Sequence, residues 1–113
     1  MSDCLFCRIV AGEVPADVVH ETHRTLAFRD IGPQAPTHVL VVPREHHADA
    51  GAVADADPAL LAEVMTAAVA VARQEGLDGG YRLVANTGDD GGQTVRHLHV
   101  HVLGGRRLSW PPG

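Results

Sequence analysis

The 113-residue chain contains no lysine, has two cysteines, and carries aromatic side chains at only 4% of its positions. Nine arginines stand against fourteen acidic residues, which leaves a formal net charge of −5 at neutral pH. Nucleic-acid binding needs cationic faces that displace counterions from the phosphate backbone, so this charge balance argues against a nucleic-acid partner. A small anionic substrate is not excluded, because backbone N–H groups and imidazoles also bind anions.

Long apolar stretches and a leader segment are missing as well. The longest apolar runs, such as residues 67–72, are far shorter than the ~20 residues that a helix needs to cross a bilayer. The N-terminus lacks the basic stretch and apolar run of a secretory signal. These absences predict a cytoplasmic protein with no membrane partner. The length of 113 residues is enough for one domain and too short for two, which predicts a single domain over residues 1–113.

Five short segments rich in aliphatic and β-branched residues are typical of strands. They are residues 18–21, 25–29, 39–42, 81–86 and 95–103. Asp57 and Pro58 predict the start of a helix whose apolar residues recur at helical spacing until Ala72, and Gly76 predicts its end. Residues 6–11 leave open a helix or a two-stranded extension. Strands that outnumber helices and have short connections predict an antiparallel α+β fold.

Three histidines, His97, His99 and His101, alternate with apolar residues near the end of the chain. In a strand, successive side chains point to opposite faces, so the three imidazoles share one face and the aliphatic side chains pack on the helix. An imidazole ionises near neutral pH and serves as a nucleophile, an acid or a metal ligand. The row therefore predicts a reactive site. A polar strand face and a three-histidine metal site are the alternatives.

A glycine-rich loop leads directly into the histidine strand. Residues 86–94 contain three glycines together with Asn86, Gln93 and Thr94. Glycines allow backbone N–H groups to approach an anion closely. We therefore expect a phosphate bound by this loop to lie beside His99.

The pattern His-φ-His-φ-His-φ-φ over residues 97–103, where φ is apolar, resembles the signature of the histidine-triad (HIT) family of nucleotide hydrolases and transferases. Further segments resemble the Hint branch of that family, which comprises the nucleoside phosphoramidases. They are residues 28–31, 33–38, 41–44, 91–93 and 103–106 and the ending Trp-Pro-Pro-Gly at 110–113. The similarity covers nearly the whole chain.

The resemblance implies a role for each histidine of the motif and for one further histidine. The middle one, His99, is implied to be the nucleophile that attacks the α-phosphorus. His101 is implied to contact the phosphate and the leaving group. His97 and the more distant His38 are implied to complete the polar cluster.

The substrate-binding residues that the resemblance implies form three groups. Asn86 and Thr94 match positions that contact phosphate, although the Hint branch usually has serine where this chain has Thr94. Asp30 matches the carboxylate that accepts hydrogen bonds from both ribose hydroxyls. The lining of the base pocket is implied to be Phe6, Phe28, Ile31 and Leu40. Packing in the core is the alternative role of these four apolar residues.

The reaction implied by the resemblance cleaves the P–N bond of a purine nucleoside 5′-phosphoramidate. The histidine displaces the amine to give a nucleotidyl-histidine, which water hydrolyses to the nucleoside monophosphate. No metal is needed for this chemistry. Two other functions stay open: a dinucleoside polyphosphate hydrolase, which shares the triad, and a nucleotide-binding regulatory protein in which catalysis is incidental.

The fold implied by the resemblance is α+β, with an antiparallel sheet of about five strands, one main helix and a short N-terminal helix. The chain is implied to pair as a homodimer with a sheet that continues across the interface. In that arrangement Trp110 reaches toward the partner's site.

Cys4 and Cys7 have the spacing of half a zinc site. A redox pair would normally follow a strand in a βαβ unit, and the sequence shows none there. The resemblance implies that His46 and His97 complete a structural zinc site, with His47 as an alternative to His46. Two buried thiols without a metal are the other interpretation.

Overall fold

Five strands of this protein form one antiparallel sheet, with three helices packed around it. The computed structural model describes residues 3–113, so Met1 and Ser2 of the predicted domain lie outside the described residues. The helices are α1 (Leu5–Val10), α2 (Ala50–Ala56) and α3 (Pro58–Gln74). The strands are β1 (Val18–Glu21), β2 (Thr25–Arg29), β3 (Thr37–Pro43), β4 (Tyr81–Val84) and β5 (Val100–Gly104), in the sheet order β1-β2-β3-β5-β4. This architecture confirms the antiparallel α+β prediction.

The middle strand, β3, is buried along its whole length and separates two layers of core. On one face, Val39 and Val41 join the aliphatic cluster under α3. On the other face, Leu40 and Val42 pack with Phe6 of α1. Both faces of the strand are covered, which explains why its sequence is continuously apolar from Val39 to Pro43 instead of alternating.

Helix α3 begins where the sequence predicts it. The Asp57 carboxylate accepts a hydrogen bond from the Leu60 N–H, and Pro58 occupies the first turn. The buried face of the helix packs against the apolar residues of the histidine motif, and it consists of Leu60, Val64, Ala67, Ala68, Val71 and Ala72. Within residues 3–113, no helix has the length and hydropathy needed to cross a membrane.

The histidine strand is shorter than predicted. Strand β5 begins at Val100 rather than at residue 95, and β4 ends at Val84, two residues before the predicted end. The backbone ahead of β5 bonds outside the sheet: the Val95 carbonyl accepts from Gln93 Nε2, and the Leu98 N–H donates to the His47 carbonyl. Those contacts remove residues 95–99 from the strand ladder. The last paired residue of strand β4 is Val84, which lies opposite His101, the second residue of β5.

Two helices differ from the sequence analysis in different ways. Helix α1 settles the alternatives left open for residues 6–11 in favour of a short helix, with Cys4 as its N-cap residue. Helix α2 was not predicted, because its residues contain Gly51 and only Val53 is buried, so the segment has no helical apolar periodicity. Its signal is Asp49, whose carboxylate accepts from the Ala52 N–H at 2.9 Å.

Replacing Leu60 with alanine should destabilise the domain strongly. Leu60 is completely buried between α3 and the sheet, so truncation removes apolar contacts and leaves a cavity. Together these should lower the free energy of unfolding by about 2–5 kcal/mol. Met65, on the exposed side of the same helix, is the matched control, and Met65→Ala should cost under ~1 kcal/mol. Urea denaturation of both variants measures the difference. Equal losses would contradict the described packing of α3.

Candidate active site and metal centre

His99 is held by the backbone of its own motif. Its Nδ1 atom lies 2.8 Å from the carbonyl oxygen of His97. A carbonyl oxygen only accepts hydrogen bonds, so Nδ1 carries the proton and the Nε2 lone pair of the neutral ring is available. The ring is buried, with its centroid 5.0 Å from the rings of Phe6 and His101. His99 is thus oriented as a nitrogen nucleophile.

A second hydrogen-bonded chain fixes the proton of His101. The backbone N–H of Gln34 donates to Nδ1 of His38 at 3.0 Å, so His38 carries its proton on Nε2. That Nε2 atom lies 2.9 Å from Nδ1 of His101, which must therefore accept. The proton of the neutral His101 ring is left on its own Nε2. The two neighbouring histidines accordingly present opposite groups, a lone pair at His99 and an N–H at His101.

Burial favours the uncharged forms of His101 and His38. Desolvation, together with the positive charges that His99 and His38 would carry, lowers the pKa of His101 to about 4, against the opposing effect of Asp30. Desolvation also lowers the pKa of His38, although the nearby Asp30 carboxylate opposes this. His38 and His101 are therefore neutral in the free protein at neutral pH.

Asp30 lies beside the same chain. Its Oδ1 accepts from the Gly32 N–H at 2.8 Å, and its Oδ2 lies 3.5 Å from Nε2 of His38. Asp30, His38 and His101 are close enough to share a metal ion. The Gln34 N–H argues against that role, because it keeps the His38 lone pair on Nδ1 and leaves a proton on the nitrogen that faces the group.

A pocket of about 560 Å³ opens in front of the two histidines. Most of the predicted binding residues border it: Phe6, Phe28, Ile31, Leu40, Asp30 and Thr94, together with His99 and His101. Ile31 is exposed, whereas Phe6, Phe28 and Leu40 are buried and also belong to the core cluster under α1. Core packing and pocket lining are therefore compatible roles for these three side chains.

Four of the predicted catalytic and substrate-binding residues do not border this pocket. His38 lies behind His101, and His97 lies behind His99. Asn86 follows β4 outside the pocket lining. Trp110 is 82% exposed in the C-terminal segment. The structure thus leaves the phosphate role of Asn86 and the partner-directed role of Trp110 as predictions.

The side chain of Gln93, for which the sequence analysis proposed no specific contact, organises the glycine-rich loop. Its Oε1 accepts from the Gly88 N–H and from Arg96 Nη1, both at 3.0 Å. Its Nε2 donates to the carbonyl oxygens of Ala48 and Val95 at 2.7 and 3.0 Å. All four hydrogen-bonding positions of the amide are therefore used. The sequence signal for such a role is a glutamine that follows two glycines in the loop.

Two glycines of this loop are required by its backbone conformation. A Cβ atom on Gly91 would lie 2.4 Å from the Thr87 carbonyl oxygen, which no side chain tolerates. Gly92 has a φ of 81°, a conformation that favours glycine. The loop is a tight, braced structure ahead of Thr94.

Cys4, Cys7, His46 and His97 converge, as the resemblance implied. Nδ1 of His97 lies 3.4 Å from Cys4 Sγ, 3.5 Å from Cys7 Sγ and 3.2 Å from His46 Nδ1, and Cys7 Sγ lies 3.3 Å from His46 Nδ1. A tetrahedral zinc ion separates N and S ligand atoms by about 3.3–3.8 Å, given its bond lengths of ~2.0–2.3 Å. The four residues fit a tetrahedral metal ion.

His97 also has the protonation that a metal ligand needs. Nε2 of His97 faces the Pro43 carbonyl at 2.8 Å and must carry the proton, so the lone pair on Nδ1 points into the cluster. Burial lowers the pKa of His97 and favours this neutral form. His47 is not part of the group, because its Nε2 contacts Glu45 instead. Within the described residues, the three motif histidines do not form a metal-ligand group with one another.

The fold and site define an α+β domain in which histidines of one motif border an apolar pocket. Residues 11–108 match the family model of the HIT domain. The chain therefore belongs to the HIT family, which confirms the resemblance at the level of the family.

Named relatives are similar over almost the whole chain. A HIT family hydrolase from Legionella pneumophila Philadelphia 1 is 54% identical with a TM-score of 0.94, over 98% of this chain and 100% of its own. A 14 kDa zinc-binding protein of Zea mays is 47% identical over 99% of this chain and 89% of its own length. A histidine triad nucleotide-binding protein from Candida albicans is 30% identical with a TM-score of 0.83, over 96% of this chain and 83% of its own.

Replacing His101 with asparagine should make stability less sensitive to acid. The pKa of about 4 lies below the ordinary value of 6.5, so the unfolded chain binds more protons at this residue between those pH values. The contribution of His101 to the free energy of unfolding is complete above about pH 6.5 and falls as the pH drops toward 4. Urea denaturation at pH 7 and pH 5 should show a smaller loss for His101→Asn than for the wild type.

The control for this comparison is His23→Asn, at an exposed position between β1 and β2. It should retain the wild-type loss between pH 7 and pH 5. Acid release of a metal from the cysteine cluster affects all three proteins alike and cancels in the comparison. An equal loss for His101→Asn and the wild type would show that the folded protein does not lower this pKa.

Proposed function

We propose that this protein is a purine nucleoside phosphoramidase of the Hint type, acting as a cytoplasmic homodimer. It hydrolyses the P–N bond of nucleoside 5′-phosphoramidates through a nucleotidyl-histidine. The observation that carries the proposal is the bond from His99 Nδ1 to the His97 carbonyl, which leaves the Nε2 lone pair beside the pocket. The hydrolase from Legionella and the nucleotide-binding protein from Candida support the class of reaction and of ligand.

The pocket suits the three parts of a nucleotide. The buried side chains of Phe6, Phe28 and Leu40 offer an apolar wall for a planar base. The Asp30 carboxylate is positioned to accept hydrogen bonds from the ribose hydroxyls. The phosphate would then lie at His99, close to the Thr94 hydroxyl and the braced loop.

In the first step, His99 Nε2 donates its electron pair to the α-phosphorus, and the P–N bond breaks with its electron pair passing to the amine nitrogen. The departing amine needs a proton. The Nε2–H of His101 donates a hydrogen bond to the amine nitrogen as the P–N bond breaks, and the proton that the amine keeps comes from solvent.

In the second step, water attacks the phosphorus of the nucleotidyl-histidine. The bond from phosphorus to His99 Nε2 breaks, and its electron pair returns to the imidazole. The proton of the attacking water passes to solvent, which balances the proton that the amine took up, and His101 keeps its Nε2 proton throughout. The products are a nucleoside monophosphate and the enzyme with both histidines in their original state.

Dimer formation would use the open edge of the sheet. Strand β4 lies at the end of the sheet order and pairs only with β5 within the described chain. A second copy of β4 can pair with that edge and continue the sheet. The exposed Trp110 would then be available to the partner's pocket, as the resemblance implies.

We further propose that Cys4, Cys7, His46 and His97 hold a structural zinc ion. Thiolate and imidazole ligands favour zinc over magnesium or calcium, and four protein ligands close the coordination sphere. The zinc-binding relative from Zea mays supports this choice of metal. A bound ion supplies no reactive group here; it would fasten α1, and with it Phe6, to the segment that carries His99.

His99→Ala should abolish turnover of an adenosine phosphoramidate, because the covalent nucleophile is lost. Removing a nucleophile typically costs about 10⁴–10⁶ in rate. Binding of AMP, measured by calorimetry, should stay within a few-fold, since Phe6, Phe28 and Asp30 are unchanged. His23→Ala, which alters an exposed histidine outside the pocket, should retain full turnover.

Radiolabelled substrate quenched in alkali should leave the nucleotide on His99, because phosphoramidates survive alkali better than acid. Label at another residue, or near-normal turnover by His99→Ala, would refute the mechanism. Faster turnover of a diadenosine polyphosphate than of any phosphoramidate would favour the polyphosphate hydrolase instead. Binding of AMP without turnover of either substrate would favour the regulatory protein.

Elemental analysis of protein purified without chelator should find about one zinc per chain. Cys4→Ser and His46→Ala should each lower the zinc content and the melting temperature, because each removes one ligand. His47→Ala is the matched control and should keep its zinc, since His47 contacts Glu45 instead of the cluster. Absence of metal in the wild type, with unchanged melting of Cys4→Ser, would contradict the site.

A further inference from the structure

Arg106 lies outside the active-site pocket, in the segment after β5, and binds the backbone of a loop that is distant in sequence. Its Nη2 and Nε atoms donate to the carbonyl oxygen of Gln34 at 3.0 and 3.3 Å, and its Nη1 donates to the Arg107 carbonyl at 3.1 Å. Neither Arg106 nor Gln34 borders the pocket. The guanidinium therefore has no direct access to a substrate there.

The same loop makes a second close contact with the segment after β5. Gly105 has a φ of 89°, and a Cβ atom at this position would lie 2.9 Å from Cβ of Pro36. Next to this contact, Thr37 pairs with Gly104 at the start of the β3–β5 ladder. Arg106 thus lies where the loop before β3 and the end of β5 are pressed together.

Gln34 is the residue that determines the tautomer of His38. Its N–H donates to His38 Nδ1, which leaves the His38 proton on Nε2 and makes His101 Nδ1 an acceptor. Without this N–H, a neutral His38 could instead carry its proton on Nδ1. The hydrogen bond to His101 would then reverse, and His101 would turn a lone pair instead of an N–H toward the pocket.

We propose that Arg106 is a positioning residue for catalysis, which holds the Gln34 carbonyl and thereby keeps the His38 proton on Nε2 and the His101 proton on Nε2. The guanidinium suits this task because two of its N–H groups converge on one carbonyl oxygen in a fixed planar geometry. The effect on rate rests on the proposed phosphoramidase function. The effect on the tautomers does not.

The direct test is nitrogen-15 NMR of the histidine rings in the free protein at pH 7.5. In the wild type, His38 and His101 should both show a protonated Nε2 and an unprotonated Nδ1. Arg106→Met should give a mixture of the two His38 tautomers, whereas Arg106→Lys retains one donor and should remain close to the wild type. Arg107→Met, which changes the exposed neighbouring arginine, is the control and should leave both rings unchanged.

Kinetics supply the second readout. Arg106→Met should lower kcat for poorly activated amines in proportion to the fraction of molecules whose His101 Nε2 has lost its proton, which is about 2-fold for an even mixture of tautomers. The loss should be smaller for activated leaving groups, and KM should change little, since the pocket lining is intact. Arg106→Lys should restore much of kcat. Circular dichroism melting separates this pattern from a general loss of fold.

The outcomes are distinct. A wild-type His38 protonated on Nδ1 would overturn the assignment even if Arg106→Met did not fold. Retention of the wild-type tautomers by a folded Arg106→Met would also overturn it. Wild-type protein with the expected tautomers, an Arg106→Met protein with mixed tautomers and no turnover by either would support the role of Arg106 while refuting the phosphoramidase.

Discussion

The candidate site depends on hydrogen bonds between imidazole nitrogens and backbone groups. A carbonyl oxygen only accepts and an N–H only donates, so each backbone contact fixes which ring nitrogen carries the proton. The carbonyls of His97 and Pro43 accept from His99 Nδ1 and His97 Nε2 and so keep the ring protons on those atoms, and the Gln34 N–H donates to His38 Nδ1 and so keeps that ring's proton on Nε2. The fold therefore sets the tautomers that the proposed chemistry needs before any substrate binds.

His97 belongs both to the group of possible metal ligands and to the surroundings of His99. Its side chain points into the group with Cys4, while its carbonyl holds the ring of His99. Phe6, in the helix that begins at Cys4, packs edge-on against both histidine rings, with centroids 5.9 and 5.0 Å away. Movement of that helix would disturb both the pocket wall and the ring of His99. A metal ion at the cluster would therefore act on catalysis by preventing motion rather than by reacting.

Local signals predicted much of this structure, and contacts between distant segments account for most of what they missed. The Asp57-Pro58 cap and the alternation around His101 are encoded within a few residues, and the structure bears out both features. The choice of His46 over His47 was undecidable, because it depends on how the segment after β3 approaches α1. The contact of Arg106 with Gln34 spans 72 residues and leaves no local pattern. The motif could indicate which histidines matter but not where their protons lie.

The charge distribution is compatible with the anionic substrate that we propose for this acidic protein. Several arginines are neutralised by acidic partners at the surface: Arg24 by Asp57, Glu45 and Glu63, and Arg29, which borders the pocket, by Glu75. The buried imidazoles of His38 and His101 are neutral because desolvation lowers the pKa of each. A phosphate in this pocket therefore meets N–H groups and hydroxyls rather than fixed cations. Such donors can hold the developing charge during reaction, and they release an anionic product more readily than a permanent positive charge would.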